Sequence, residues 1–236
     1  MKVRLIGYTQ PVEDMTHEYL GDIQDLIAFC ARVSNPTNQN NKATSEKLLN
    51  YLAKHKHWSP FEMASATLEI ETTRDIARQM LRHRSFAFQE FSQRYADPTK
   101  DLEFVTRECR LQDPKNRQNS IEIENDPAIQ EDVATQDLIA EWSRRQAGII
   151  KQAREAYKWA VEHNIAKEQA RAVLPEGLTV SRLYMQGTIR SWIHFIELRS
   201  GNGTQKEHIA VARACGEAIS KIFPLSKNYI ASQDKK

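Results

Sequence analysis

The sequence predicts an α/β protein of the α+β type: one helix-rich domain, residues 1–236, around a modest, mostly antiparallel sheet. Two observations carry this expectation. Apolar residues recur at three- and four-residue steps through several long segments, the period of an amphipathic helix, while only short stretches alternate as strands do. The 236 residues contain no internal repeat and can bury a sizeable core.

Residues 3–9 read as a short strand. A helix is expected over 16–32, anchored by Tyr19, Leu20, Ile23, Leu26, Ile27 and Cys30. Asn35 to Asn41 is a polar loop, after which Thr44 or Ser45 caps a helix carrying Leu48, Leu49, Tyr51 and Leu52. That helix ends near His55-Lys56-His57-Trp58-Ser59-Pro60, since the residue before a proline avoids helical angles. Over 64–72, Ala66, Leu68 and Ile70 face one way and Thr67, Glu69 and Glu71 the other, a half-buried strand. Thr72 or Thr73 then caps a short helix with Ile76, Ala77, Met80 and Leu81 on one side. The stretch 107–132 is polar and reads as a partly mobile excursion within the domain. Long helices follow at 134–163 (Leu138, Trp142, Ile149, Ala153, Tyr157, Ala160), 188–198 (Ile189, Trp192, Ile193, Ile196) and 204–222 (Ile209, Ala212, Ile219, Ile222).

Composition excludes several classes of function. With 33 Lys+Arg against 31 Asp+Glu, the net charge of +2 is too small to hold a nucleic-acid polymer or an anionic membrane. Mean hydropathy is −0.62, and no apolar run approaches the length of about eighteen residues that a membrane span requires. The opening residues lack the apolar run of a secretory signal. Cys30, Cys109 and Cys215 form no CxxC pair, which fits a reducing, cytoplasmic setting. His55 and His57 lack a third and fourth ligand at useful spacing, so no metal is expected.

Glycine scarcity narrows the chemistry further. The one Gly-x-Gly, Gly201-Asn202-Gly203, has neither the third glycine nor the Lys-Ser/Thr of a phosphate loop. Any bound phosphate must therefore be held by side chains. Five of the 18 arginines, Arg74, Arg78, Arg82, Arg84 and Arg94, fall within 21 residues that hold only two acids, Asp75 and Glu90. On a helix, Arg78 and Arg82 share a face, with Gln79 beside them. If Phe88 to Arg94 is extended, Phe88, Glu90, Ser92 and Arg94 share another, so a phosphate meets a hydroxyl and a bidentate guanidinium together. A solvated basic loop is the plainer reading of Arg82-His83-Arg84. A single-stranded RNA-binding module stacking bases on Phe86, Phe88 and Phe91 is a third, opposed by the near-neutral charge and the lack of any RNA-binding signature.

Residues 82–95 resemble the signature of flavin-dependent thymidylate synthases, RHRxxSxxExSxRY, through Arg82, His83, Arg84, Glu90, Ser92, Arg94 and Tyr95. Further blocks resemble that family in order: Ala31-Arg32-Val33-Ser34, His55 to Glu62, Gln169 to Pro175, Thr188 to Phe195, Leu198-Arg199 and Gln205-Lys206-Glu207. Three positions depart from the pattern. Ala87 stands where serine is usual, Gln89 where asparagine is common, and Met63 in place of a histidine.

The resemblance implies conversion of dUMP to dTMP, with methylenetetrahydrofolate supplying the carbon and FAD, reduced by NADPH, supplying the hydride. It implies a dUMP site at Gln79, Arg82, Glu90, Ser92, Arg94, Arg171 and Arg199, with Arg199 beside the uracil ring and Ser92 as the hydroxyl that positions substrate. It implies an FAD site at Ser59, Arg82, His83, Arg84, Glu90, Thr188, Arg190 and His194, with His57 and Ser34 as weaker members. Arg199 and Ser92 are the catalytic candidates. Homotetramers with sites shared between subunits are also implied, and neither nucleic acid nor membrane is an expected partner. The unrelated class of thymidylate synthase attacks uracil with a cysteine, whereas none of the three cysteines here lies in a motif block. The departures keep open a relative that binds flavin and nucleotide without transferring a methyl group.

Overall fold

A computed structural model describes residues 1–18, 20–123, 132–201 and 203–231. Tyr19, expected in the first helix, and the 124–131 part of the polar excursion lie outside the described residues. The described residues form six strands: β1 (Lys2–Tyr8), β2 (Ser65–Thr73), β3 (Ala87–Glu90), β4 (Arg110–Gln112), β5 (Ser120–Glu122) and β6 (Val180–Thr188). Four of them form a sheet in the order β1-β2-β6-β3.

Hydrogen bonds at the strand ends give their directions. Thr9 N bonds Ser65 O at 2.9 Å, joining the end of β1 to the start of β2. Ile189 N bonds Ala64 O and Arg74 N bonds Thr179 O, so β2 and β6 also run opposite ways. Phe91 N bonds Arg182 O, while Phe86 lies against Gly187, which makes β3 antiparallel to β6. The sheet is antiparallel, as the sequence predicts. Ala66, Leu68 and Ile70 of β2 are buried, as their alternation requires.

The chain clusters into two units. The first comprises Met1–Ile70, Leu81–Gln89 and Leu183–Lys236. Its helices are α1 (Glu13–Glu18), α2 (Ile23–Ala31) and α3 (Ser45–Lys54), then, late in the chain, α8 (Ile189–Arg199) and α9 (Lys206–Ser220). The second comprises Glu71–Met80 and Glu90–Arg182, with α4 (Arg74–Met80), α5 (Pro98–Asp101), α6 (Val133–Glu162) and α7 (Lys167–Ala170).

The first core is aliphatic and aromatic. Ile189, Trp192, Ile193 and Ile196 of α8 are all buried, the stripe its periodicity predicts. Of the apolar residues expected on α9, Ala212 and Ile219 are buried, joined by Val211 and Cys215. In the second unit Ile76, Ala77 and Met80 of α4 are buried, and Tyr157, Ala160 and Ala170 pack together with Val161 and Leu174 at their margin.

Several expectations are corrected. The helix expected over 16–32 is two helices. Asp22 caps a new start by accepting from Gln24 N and Asp25 N, at 2.8 and 3.0 Å, while Gly21 N donates to Asp25 Oδ2. Thr44 precedes α3 but does not cap it, because its hydroxyl accepts from the buried Arg32 at 2.8 Å. Tyr51 of α3 is exposed and its ring lies tilted against His55, with centroids 4.3 Å apart. Helix α4 ends at Met80, so Arg82 lies in the following turn and not on a shared helical face with Arg78. The extended run expected over Phe88 to Arg94 stops at Glu90. Tyr95 N and Ala96 N both bond Ser92 O at 3.1 Å, which closes a turn and takes Ser92 and Arg94 off the strand. The excursion contains an antiparallel hairpin, β4 with β5. Helix α6 buries Ala153, Tyr157 and Ala160 but leaves Leu138, Trp142 and Ile149 exposed. Its 30 residues, about 45 Å of helix, outrun the core that its own unit provides.

Gly187 marks a close approach in the first unit, because a Cβ there would lie 2.4 Å from Cδ1 of Phe86. Gly187→Ala is expected to cost about 1–3 kcal/mol through overpacking. Urea unfolding checks this, and adding Phe86→Leu should recover part of the loss. An unchanged midpoint for the single variant would contradict the packing.

Candidate active site

In the first unit, α8 organises most of the predicted residues. Thr188 caps it, accepting from Ser191 N at 3.2 Å. Ser191 Oγ in turn donates to Ser85 O at 3.2 Å, which ties the Leu81–Phe86 turn to the helix start. Phe86 packs edge-on against Trp192, with ring centroids 4.8 Å apart.

The same turn delivers His83 to the far end of the helix. Its ring stands edge-on to Phe195 at 5.0 Å, and its Nε2 accepts from Arg199 Nε at 3.0 Å. Arg82 and Arg84 are exposed on either side. Nearer the helix start, Arg190 pairs with Glu62 at 2.7 Å, and His194 stands edge-on to Trp58 at 4.9 Å. Ser59, which opens the short turn Ser59–Glu62, is exposed, as are His57 and Ser34.

The histidines here are held neutral. Burial lowers the pKa of His83, and the cationic Arg199 and Arg82 lower it further. Burial and Arg190 lower that of His194, against a weaker opposing pull from Glu197. His208 of α9, fully buried, falls to about 4 through burial, reinforced by Arg199 and His83.

The second unit holds the remaining candidates. Glu90 is half-buried and accepts from Ser181 Oγ at 2.7 Å, with Arg74 at 3.5 Å. Arg94 reaches the Glu168 carboxylate at 3.4 Å, and Arg171 donates from Nε to the Glu168 carbonyl at 3.3 Å. The fold thus brings Arg94 and Arg171 to one residue. Gln79 is half-buried near the end of α4, and Ser92 opens the turn that carries Arg94.

Residues 17–225 match the family model described as thymidylate synthase complementing protein. The chain belongs to the flavin-dependent thymidylate synthase family. It is 49% identical over 224 residues to the "probable flavin-dependent thymidylate synthase" of Paramecium bursaria Chlorella virus 1, covering 95% of this chain and 96% of the relative. It is 45% identical over 225 residues to the flavin-dependent thymidylate synthase of Synechocystis, again covering 95% and 96%. Among solved structures it is similar to a UMP/dUMP methylase, PolB, from Streptomyces cacaoi bound with 5-Br dUMP. The TM-score is 0.71 at 25% identity, over 97% of this chain and 93% of that one.

The donor set that this flavin-dependent family pattern assigns to FAD fits such a group chemically. Arg82 and Arg84 are exposed guanidiniums of the kind that can grip a diphosphate, and Trp58 and His194 stand edge-on as an aromatic pair. The Thr188 hydroxyl is occupied by the helix cap, so in this structure it serves α8 first. Glu62, Trp58 and His208 in the first unit, and Ser181 and Glu168 in the second, touch predicted residues of their own unit and were not assigned by sequence reasoning. The motif blocks contain the first two, but only the fold puts Ser181 against Glu90 or Glu168 against Arg94.

His208 sets a pH dependence of stability. Its folded pKa of about 4 lies below the ordinary 6.5, so below pH 6.5 the unfolded chain binds the extra proton. Stability is therefore full above 6.5 and is lost as pH falls toward 4, by on the order of 3 kcal/mol from this group alone. Denaturant unfolding of wild type and His208→Asn between these pH values checks it. The two curves should converge on acidification, and parallel curves would contradict the assignment.

Proposed function

We propose that this chain converts dUMP to dTMP by reductive methylation, taking the carbon from methylenetetrahydrofolate and oxidising NADPH. Bound FAD would supply the redox chemistry that links NADPH oxidation to reduction of the transferred carbon. The observation that carries the reading is Arg199, a guanidinium fixed on a helix end by His83 inside the family signature. Beside the uracil ring, Arg199 stabilises negative charge over N3 and the carbonyl oxygens and so raises electron density at C5. Arg82, Arg94 and Arg171 hold the phosphate through bidentate hydrogen bonds, with Ser92 and Gln79 orienting the nucleotide. Glu90, steadied by Ser181 and Arg74, is a fixed acceptor. Ser59, Arg82, His83, Arg84, Arg190 and His194 hold FAD, joined by Glu90 and Thr188.

No cysteine nucleophile takes part. Burial raises the pKa of Cys30 and of the fully buried Cys215, the opposite of what a reactive thiolate needs. The three free thiols support a cytoplasmic setting. No helix among the described residues is long and apolar enough to cross a membrane. The exposed Leu138, Trp142 and Ile149 of α6 support a homotetramer in which such faces are covered.

The purified protein should be yellow and should release tritium from [5-³H]dUMP only with NADPH and methylenetetrahydrofolate. Arg199→Ala should lower that release by at least about 100-fold while FAD stays bound. A protein that takes up FAD but releases no tritium would be the binding-only relative. A colourless protein that never takes up FAD would sink both readings.

A further inference from the structure

We propose that His83 is a positioning residue for Arg199, accepting the Arg199 Nε–H as the Nδ1-protonated tautomer and leaving only the Nη pair to serve the substrate. The inference rests on the function proposed above and adds a role for the His83 side chain.

The assignment of the tautomer follows from the chemistry of the pair. A guanidinium carries five N–H donors, no acceptor, and stays charged at every working pH. At 3.0 Å from Arg199 Nε, His83 Nε2 must therefore be the unprotonated acceptor, and the ring proton sits on Nδ1. An imidazolium would set one N–H against another and add a like charge.

The surroundings hold the pair in this state from three directions. Phe195 lies four residues before Arg199 on α8, so one helix face supplies both the wall for the imidazole and the guanidinium it binds. The turn bearing His83 is pinned by the Ser191 Oγ to Ser85 O bond and by Phe86 against Trp192 and Phe195. The groups acting on the His83 charge are Arg199 from α8 and Arg82 from its own turn, both cationic. His208 from α9, whose ring also contacts Phe195, is itself neutral. Each cation opposes a proton on His83. The arrangement stands at neutral pH and is lost on acidification below the ordinary histidine range.

The test uses the FAD-loaded full chain with ¹⁵N-labelled histidine, the His83 signals being assigned by their disappearance in His83→Gln. At pH 7.5 the wild type should show an unprotonated Nε2 and a protonated Nδ1, and Arg199→Ala should shift the ring toward the Nε2–H form. Binding of dUMP should weaken by roughly 10-fold in His83→Ala. In His83→Gln, whose side-chain oxygen can accept from Arg199, it should stay within about 3-fold of wild type. A wild-type Nε2–H tautomer, or dUMP binding by His83→Ala equal to wild type with flavin retained, would overturn the proposal. If His83→Ala misfolds or loses flavin, the wild-type tautomer still decides. A wild type that neither binds dUMP nor releases tritium overturns the parent function, and this role with it.

Discussion

Most of the first unit's site hangs on how α8 is seated at the end of β6. Ile189 N bonds Ala64 O at 2.9 Å and Trp192 Nε1 bonds Ala66 O at 3.0 Å, so the helix start is held to the first residues of β2 by a backbone bond and a side-chain bond. Trp192 is wholly buried, and its indole donor would be costly to leave unmet. With the helix fixed there, residues along it acquire fixed stations. Arg190 meets Glu62, His194 meets Trp58, Ser191 anchors the turn at Ser85, and Arg199 meets His83. A shift of one turn, about 5.4 Å, would undo all four together.

The near-neutral net charge has a local explanation. Within their own units four arginines are answered by acids, two of them predicted site residues: Arg94 by Glu168 and Arg190 by Glu62, beside Arg74 by Glu90 and Arg78 by Glu176. The Arg94 and Arg78 pairs are largely solvent-exposed, so each contributes little to stability and can be exchanged for a phosphate at small cost. Among the described residues no acid pairs with Arg82 or Arg84, and both remain exposed. A glycine-poor chain thus presents cationic groups to anions without accumulating charge overall.

Periodicity and capping chemistry made much of the scaffold legible. The apolar stripes of α8 and α4 and the alternation in β2 are burial patterns, and the structure buries those residues. Local backbone chemistry was harder to read. Asp22 and Gly21 interrupt a continuous apolar period because a side-chain cap outweighs it, and the Ser92 turn ends an alternation that reads as strand. The signature segment was legible as a set of residues, but not as a set of contacts. Nothing local in the sequence links His83 to Arg199, Ser181 to Glu90, or Glu168 to Arg94, because each link joins residues brought near only by the fold. The stripe of α6 is legible as an apolar face, but periodicity does not report what covers it, and Leu138, Trp142 and Ile149 are exposed.

The histidines complete the same electrostatic logic. In a site rich in arginine, a charged imidazole would repel the guanidinium beside it and gain nothing from burial. Held neutral, it becomes an acceptor, which arginine lacks entirely. His83 illustrates the exchange: the cations that lower its pKa make it the partner that Arg199 requires. His208, deeper and more strongly shifted, extends the neutral layer behind the pair. Charge is thereby kept on the guanidiniums, while the layer supporting them stays uncharged and well packed. That division explains how one helix can carry Arg190 and Arg199 beside His194 without any of these groups defeating another.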